Sequence, residues 1–355
     1  MSEKVLMKGN DAIAEAAIRA GCGAYFGYPI TPQNEIPAYM AKNMLDKGRI
    51  FIQAESEIAA IIMVYGASCA GMRSMTSSSS PGISLKQEGM SYAAGADVPL
   101  VLVNVQRGGP GLGNIAPAQS DYFQSTRGGG HGDYRCIVLA PKSVQEAADL
   151  TYLAFDLADK YRMPVIVHAD GMIGQMIEGC VLPPEKEPPK RDWTAGGCAK
   201  RKGKEAIHIT SIELVPEKLE AKTKERFVRY EDIKKQEIRF EESNCADADL
   251  VMVAYGTCAR ICLGARKLAE KEGIKLGIFR PISLWPFPYE ALGKIAVKNM
   301  PLLTVEMSEG QLIEDVKLSA YYAGSKSKVE LLGRSGGVIM TEEEVFSKVK
   351  EILKR

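Results

Sequence analysis

Apolar runs with strand character alternate with amphipathic helical stretches through the first half of the chain. Residues 10–20 carry apolar positions at helical spacing, and 24–28 read as a strand. Thr31 is placed to cap a helix with Pro32 at its first position. A short strand at 51–55 leads into an apolar helix that Ser56 opens and that runs to Ala70. Residues 74–78 read as the next strand, 100–105 as a fully buried one, and 136–139 as another. Ser143 opens a long helix to Tyr161, and a strand at 164–168 follows. Strands alternating with helices predict a mainly parallel, doubly wound sheet.

Prolines between 183 and 189 break this alternation, and 185–242 is dense in charge with weak periodicity. Two readings are open for that segment: an extended tail of the first domain, helical around 214–236, or a flexible linker. A second alternating block begins near Ala248, with strands at 250–255, 275–279, 302–306 and 328–332. Helical patterns cover 259–272, 289–297, a stretch from Gln311, and 342–354. The pattern predicts two α/β domains, 1–243 with its charged extension from about 183, and a smaller one at 244–355.

Composition narrows the function classes. The length of 355 residues, 46% hydrophobic and 25% charged, suits two globular domains. A formal net charge of +1, with basic residues dispersed, argues against a dedicated nucleic-acid or membrane-surface protein. The longest uncharged apolar run, 58–72, is shorter than the roughly 20 residues a spanning helix needs. No secretory pattern opens the chain, so a cytoplasmic location is expected. The eight cysteines, Cys22, Cys69, Cys136, Cys180, Cys198, Cys245, Cys258 and Cys262, include no C-x-x-C pair. They read as buried reduced thiols rather than as metal or cluster ligands. Residues 108–113 do not fit G-x-G-x-x-G, and no G-x-x-x-x-G-K-[ST] loop occurs. The glycine run 128–130 ahead of His131 is another loop, and His131, His168 and His208 are the only histidines.

Three segments fall where parallel strands should end: Tyr28-Pro29-Ile30-Thr31-Pro32, Glu55-Ser56-Glu57, and Arg107. Ligands in open α/β sheets bind outside the carboxyl ends of strands, so all three face one crevice in the predicted fold. Taken alone they describe an anion site with a carboxylate nearby.

The order of these segments resembles the 2-oxoacid:ferredoxin oxidoreductases. Tyr28-Pro29-Ile30-Thr31-Pro32 is followed by Glu55-Ser56-Glu57-Ile58-Ala59-Ala60 and Thr76-Ser77-Ser78-Ser79-Ser80-Pro81-Gly82-Ile83-Ser84-Leu85. Gln106-Arg107-Gly108-Gly109-Pro110, His131-Gly132-Asp133, Arg280-Pro281-Ile282 and Val305-Glu306-Met307 continue the series. The resemblance spans nearly the whole chain, and the run 76–89 is similar to the branched-chain members. Lys86, inside that run, is a departure to which the sequence assigns no role.

What the resemblance implies is specific. The first domain is a pyrimidine-type thiamine-diphosphate domain, and the second is similar to the carboxyl-terminal domain of transketolase-like enzymes. Glu57 is the carboxylate that hydrogen-bonds the cofactor's pyrimidine N1′ and favours the imino tautomer. The bland reading of Glu57 is a first-turn acid that stabilises a helix dipole, and Glu55 is the competing carboxylate. Tyr28, Pro29, Ser77 and Ser78 line the cofactor. Thr31 and Arg107 hold the substrate carboxylate; their bland readings are a helix cap and a surface ion pair.

The resemblance also implies a shared site. The diphosphate half reads roughly Gly-Asp-Gly with a downstream Asn pair in thiamine enzymes, whereas here Ala169 precedes Asp170-Gly171 and no Asn pair follows. Mg²⁺ and diphosphate are therefore expected on a beta-type partner, and [4Fe-4S] clusters on a ferredoxin-like subunit, with a gamma-type subunit completing the complex. No metal ligand is assigned to this chain. The implied reaction is coenzyme A-dependent oxidative decarboxylation of a branched-chain 2-oxo acid, 3-methyl-2-oxobutanoate, with ferredoxin as acceptor. The alternatives are 2-oxoglutarate or pyruvate as substrate, and, from another class, a non-catalytic scaffold with a thiamine-enzyme fold.

Overall fold

Leu100–Gln106, of sequence LVLVNVQ, is buried along its whole length, as a central strand covered on both faces must be. In the computed structural model, which describes residues 4–195 and 207–354, it pairs in parallel with Ser74–Ser78 on one side and Pro164–Asp170 on the other. The sheet has seven strands in the order Ser283–Trp285, Ile137–Leu139, Pro164–Asp170, Leu100–Gln106, Ser74–Ser78, Ala24–Gly27, Ile50–Gln53. All neighbours are parallel except Ser283–Trp285, which runs antiparallel. The chain leaves Ala24–Gly27 to build Ile50–Gln53 on one side, then returns to place Ser74–Ser78 on the other. That reversal is a topological switch point, and its crevice lies at the carboxyl ends of these strands.

Helix ends follow local chemistry. Ser143 caps Val144–Tyr161 by accepting from the Glu146 amide, and Ser56 caps Glu57–Cys69 by accepting from the Ala59 amide at 3.1 Å. The expected cap at Thr31 does not form. The helix starts at Glu35 with Asn34 as its N-cap, because residues 30–33 close a turn through the Gln33 amide and the Ile30 carbonyl. The Thr31 hydroxyl instead accepts from Asn34 Nδ2 at 3.1 Å.

A second sheet has the order Val329–Gly333, Leu302–Glu306, Leu250–Val253, Leu276–Pro281, Phe240–Ser243. Phe240–Ser243, which precedes residue 244, belongs to this sheet, while Ser283–Trp285 crosses into the first. The two α/β units are thus laced together by strands as well as side chains. Arg280, 2% exposed, binds Glu146 through both terminal nitrogens at 2.8 and 2.9 Å. Asp170 accepts from the Thr257 hydroxyl at 2.7 Å, and Asp315 takes Tyr122, Tyr289 and Arg127 as donors.

The charged segment packs on the first unit up to its helix and enters the second sheet at Phe240–Ser243. Glu185 meets Lys47, Lys186 meets Asp156, and Arg191 meets Asp159. Helix Pro216–Gln236 buries Tyr230 and Ile233, and the Tyr230 ring packs edge-on to Trp285 at 5.5 Å. Cys198 lies outside the described residues, and the other seven cysteines are free thiols. No helix among the described residues is long and apolar enough to cross a membrane.

Candidate active site

Four adjacent strand ends carry the candidate residues: Ile50–Gln53, Ala24–Gly27, Ser74–Ser78 and Leu100–Gln106. Glu57 is the first residue of the helix that follows Ile50–Gln53 and is 6% exposed, whereas Glu55 points to solvent. Burial therefore separates two carboxylates that differ by only two positions. The Glu57 carboxylate accepts no hydrogen bond from the described residues.

What faces it is the bare Cα of a glycine, against which the carboxylate packs closely. A Cβ on Gly82 would sit 2.1 Å from Ser78 Oγ and 2.6 Å from Glu57 Oε1, so no other residue fits there without displacing both. Ser78 Oγ is buried without a partner, a costly arrangement unless a ligand supplies one. Its neighbour Ser77 differs, since its hydroxyl is engaged by Tyr25 at 2.6 Å and by Gln33. Gln33 in turn donates to the Tyr28 carbonyl at 3.3 Å, which ties the Tyr28–Pro32 segment to the strand. Tyr28 and Pro29 themselves are exposed at the mouth.

Arg107 is 8% exposed and makes no ion pair with a described carboxylate, so the surface-pair reading does not hold. Its terminal nitrogens donate to the Thr31 carbonyl at 2.9 Å and the Leu112 carbonyl at 3.0 Å, and Nε is buried without a partner. Thr31 and Arg107 are thus in contact. Ser80 bridges this pair to the glutamate side: its Oγ accepts from the Arg107 amide at 3.0 Å and donates to Asp121 at 2.7 Å. Burial holds the Asp121 carboxyl above its usual range, against hydrogen bonds from Asn104 and Ser80.

Lys86 is fully buried one turn beyond Gly82 on helix Ser80–Gly95. Its ammonium donates to Thr76 Oγ1 at 3.1 Å and to the Glu57 carbonyl at 3.3 Å. Burial pulls it down to about 7, with the Glu57 charge opposing. Gly82, Ser80, Lys86 and Asp121 carry no role in the sequence reading. The i,i+4 spacing of Gly82 and Lys86 is the signal that would have put both on one helix face. The histidines lie elsewhere: His168 is buried, pushed down to about 3 by desolvation and bonded to Ser125 at 3.1 Å, and His208 is exposed. The exposed loop residue His131 contributes its carbonyl to Ser91. Among the described residues no group of three or more His, Cys, Asp or Glu is placed to hold a metal.

A buried carboxylate after one strand and an arginine after another, three strands along the same sheet, thus lie at one switch point. Residues 15–242 match the family described as pyruvate flavodoxin/ferredoxin oxidoreductase, thiamine diphosphate-binding, and residues 248–345 match pyruvate:ferredoxin oxidoreductase core domain II. The chain belongs to the 2-oxoacid:ferredoxin oxidoreductase family, whose members are oxidoreductases of 2-oxo acids. It is 47% identical, over 98% of its length and 97% of the relative's, to a ketoisovalerate oxidoreductase subunit VorB of Methanothermobacter marburgensis. Identity to a 2-oxoglutarate synthase subunit KorA of the same organism is 35%, over 98% and 99% of the two chains. The solved 2-oxoglutarate:ferredoxin oxidoreductase from Magnetococcus marinus superposes with a TM-score of 0.88 at 27% identity, over 99% of this chain and 66% of that one. A split-gene transketolase, at 14% identity and TM-score 0.61, shares the fold.

Proposed function

We propose that this chain supplies the pyrimidine half of a thiamine-diphosphate site in a multi-subunit enzyme that oxidatively decarboxylates branched-chain 2-oxo acids, 3-methyl-2-oxobutanoate first among them. The balanced reaction takes one 2-oxo acid, one coenzyme A thiol and two oxidised ferredoxins to acyl-CoA, CO₂, two reduced ferredoxins and a proton. The observation that carries the reading is the buried Glu57 carboxylate, with no hydrogen bond from the described residues and packed against Gly82 and an unpartnered Ser78 hydroxyl. Those residues fit an aminopyrimidine ring: a carboxylate acceptor for a ring-nitrogen proton, and beside it the Ser78 hydroxyl, buried without a partner. When bound, thiamine diphosphate supplies the nucleophilic carbon and the electron sink that 2-oxo acid decarboxylation needs.

The chain's own residues have defined tasks in this reading. Glu57 holds a proton at the pyrimidine nitrogen in a pocket that excludes water. Arg107 keeps its unpartnered Nε for an anion, and the Thr31 carbonyl holds one of its terminal nitrogens. Ser80 and Asp121 fix the Arg107 backbone. The diphosphate, Mg²⁺ and [4Fe-4S] clusters fall to partner subunits: a beta-type thiamine chain, a ferredoxin-like chain and a gamma-type chain. Ile58, Ile62 and Leu85 support such docking, since they stand 50%, 42% and 48% exposed on the two helices that flank Glu57.

The branched-chain substrate follows the VorB relatives. The KorA relatives and the 2-oxoglutarate enzyme support 2-oxoglutarate as the second reading. Dye reduction by the assembled complex, assayed with 3-methyl-2-oxobutanoate, 2-oxoglutarate and pyruvate in parallel, decides between them. The highest kcat/KM is expected with the branched substrate. Preference for 2-oxoglutarate would move the chain to the second reading, and turnover by the isolated chain would overturn the shared site.

A further inference from the structure

We propose that Lys86 and Glu57 form a coupled charge pair in which Lys86 is the positioning residue for the Glu57 carboxylate. The catalytic meaning of the pair rests on the thiamine reading above; its electrostatics do not. The geometry points to it from three directions. First, Lys86 is 0% exposed yet has no carboxylate within ion-pair distance among the described residues, so its charge is balanced at longer range. Second, its two hydrogen bonds join the elements that place Glu57: the Glu57 carbonyl in the first turn of its helix, and Thr76 in the neighbouring strand. Third, the same turn of helix Ser80–Gly95 contributes Gly82, whose bare Cα leaves room for the Glu57 side chain. One helical turn therefore supplies both the space and the opposite charge.

The surroundings narrow the partner to one group. Strands Ser74–Ser78 and Leu100–Gln106 carry no ionisable side chain, and Glu88 on the Lys86 helix is exposed; Asp121, Asp170 and His168 are engaged by Ser80, Thr257 and Ser125, and Tyr65 and Cys69 lie two and three turns along the Glu57 helix. Glu57 is the charge that acts on Lys86, raising the proton affinity that burial lowers to about 7.

Lys86 binds its proton less tightly when folded than the ordinary 10.5 of an unfolded lysine. The destabilisation from its charge is therefore fully present below about 7 and disappears as pH rises towards 10.5. The full chain, unfolded by denaturant between pH 5 and 10, gives the test. Lys86→Met removes a buried cation and keeps the volume, so it is expected to fold and to be more stable than wild type below pH 7, with the gap closing by pH 10. In a Glu57→Gln background the lower break of that gap should move down by about one pH unit, because Lys86 has lost the charge that favours its proton. A break at the same pH in both backgrounds overturns the pair, as does a Lys86→Met chain whose stability parallels wild type at every pH. In the assembled complex, Lys86→Met should lower kcat about tenfold with KM for the 2-oxo acid unchanged, and should remove an ionisation from the neutral range of the kcat profile. Coupling in the isolated chain without any kcat effect would uphold the charge pair and fault the thiamine reading of Glu57 instead.

Discussion

Glu57 and Glu306 are both buried glutamates set against the start of a helix at the edge of a parallel sheet, and their surroundings are opposite. Glu306 ends strand Leu302–Glu306 and is fully buried. It accepts from the amides of Gln311, Leu312 and Ile313 at 3.0, 2.9 and 3.1 Å, and from the Ser308 hydroxyl. Glu57, almost as buried, receives nothing comparable from the described residues, and the Ser78 hydroxyl, which approaches the same Gly82, also lacks a partner. A satisfied carboxylate holds a helix; an unsatisfied one costs stability and is retained where a ligand completes it. The family resemblance quoted Glu306 within a motif alongside Glu57, and only the hydrogen-bond inventory separates them.

The contrast can be broken by displacing Glu57 with a Cβ at Gly82. Gly82→Ala should reduce turnover of the assembled complex about a hundredfold, since a shift of about 1 Å at a reacting group costs on that order. Gly179→Ala in strand Ile177–Cys180, where a Cβ meets only the Lys4 side chain at 3.6 and 3.9 Å, should leave turnover unchanged. Equal activity in both variants would contradict the pocket.

Arg107→Lys tests the anion side. It keeps the charge and loses the planar fork, and kcat/KM should fall about ten- to a hundredfold for every 2-oxo acid alike. A changed preference among substrates at unaltered affinity would place Arg107 in the side-chain pocket instead. Glu306→Gln should show the reverse pattern, losing about 1–3 kcal/mol in denaturant unfolding with kcat per folded complex intact. Loss of chemistry without loss of stability there would erase the contrast between the two glutamates. Thr31→Val has the smallest expected effect, a two- to tenfold fall in kcat/KM from one neutral hydrogen bond of about 0.5–1.5 kcal/mol. Stability should hold, because Asn34 rather than Thr31 occupies the N-cap.

The alternation of apolar strands and helices made the doubly wound sheet legible, since a parallel strand buried on both faces must read as a continuous apolar run, as Leu100–Gln106 does. The helix Ser80–Gly95 was not legible. Its sequence is rich in serine and glycine, and it carries a lysine on its buried side, so neither propensity nor periodicity announces it. Gly82 and Lys86 were lost with it. The strand Ser283–Trp285 was also silent, because three residues crossing between sheets have no period to detect. The Thr31 cap failed for a local reason, a turn at 30–33 that moves the N-cap from Thr31 to Asn34. Arg107, Thr31 and Glu57 were nameable through motif order, but their mutual placement needed the fold: the Arg107–Thr31 contact links residues 76 apart in sequence.

The central claim is that the Glu57 carboxylate is reserved for the cofactor's pyrimidine. Its most direct test is 2-oxo-acid-dependent dye reduction by the assembled complex carrying Glu57→Gln, beside one carrying Glu55→Gln. Glu57→Gln should assemble normally and lose turnover by about a hundredfold or more, the scale of a general acid–base contribution. Glu55→Gln, on an exposed side chain, should match wild type. Near-normal turnover with Glu57→Gln, or an inactive Glu55→Gln complex, would contradict the account.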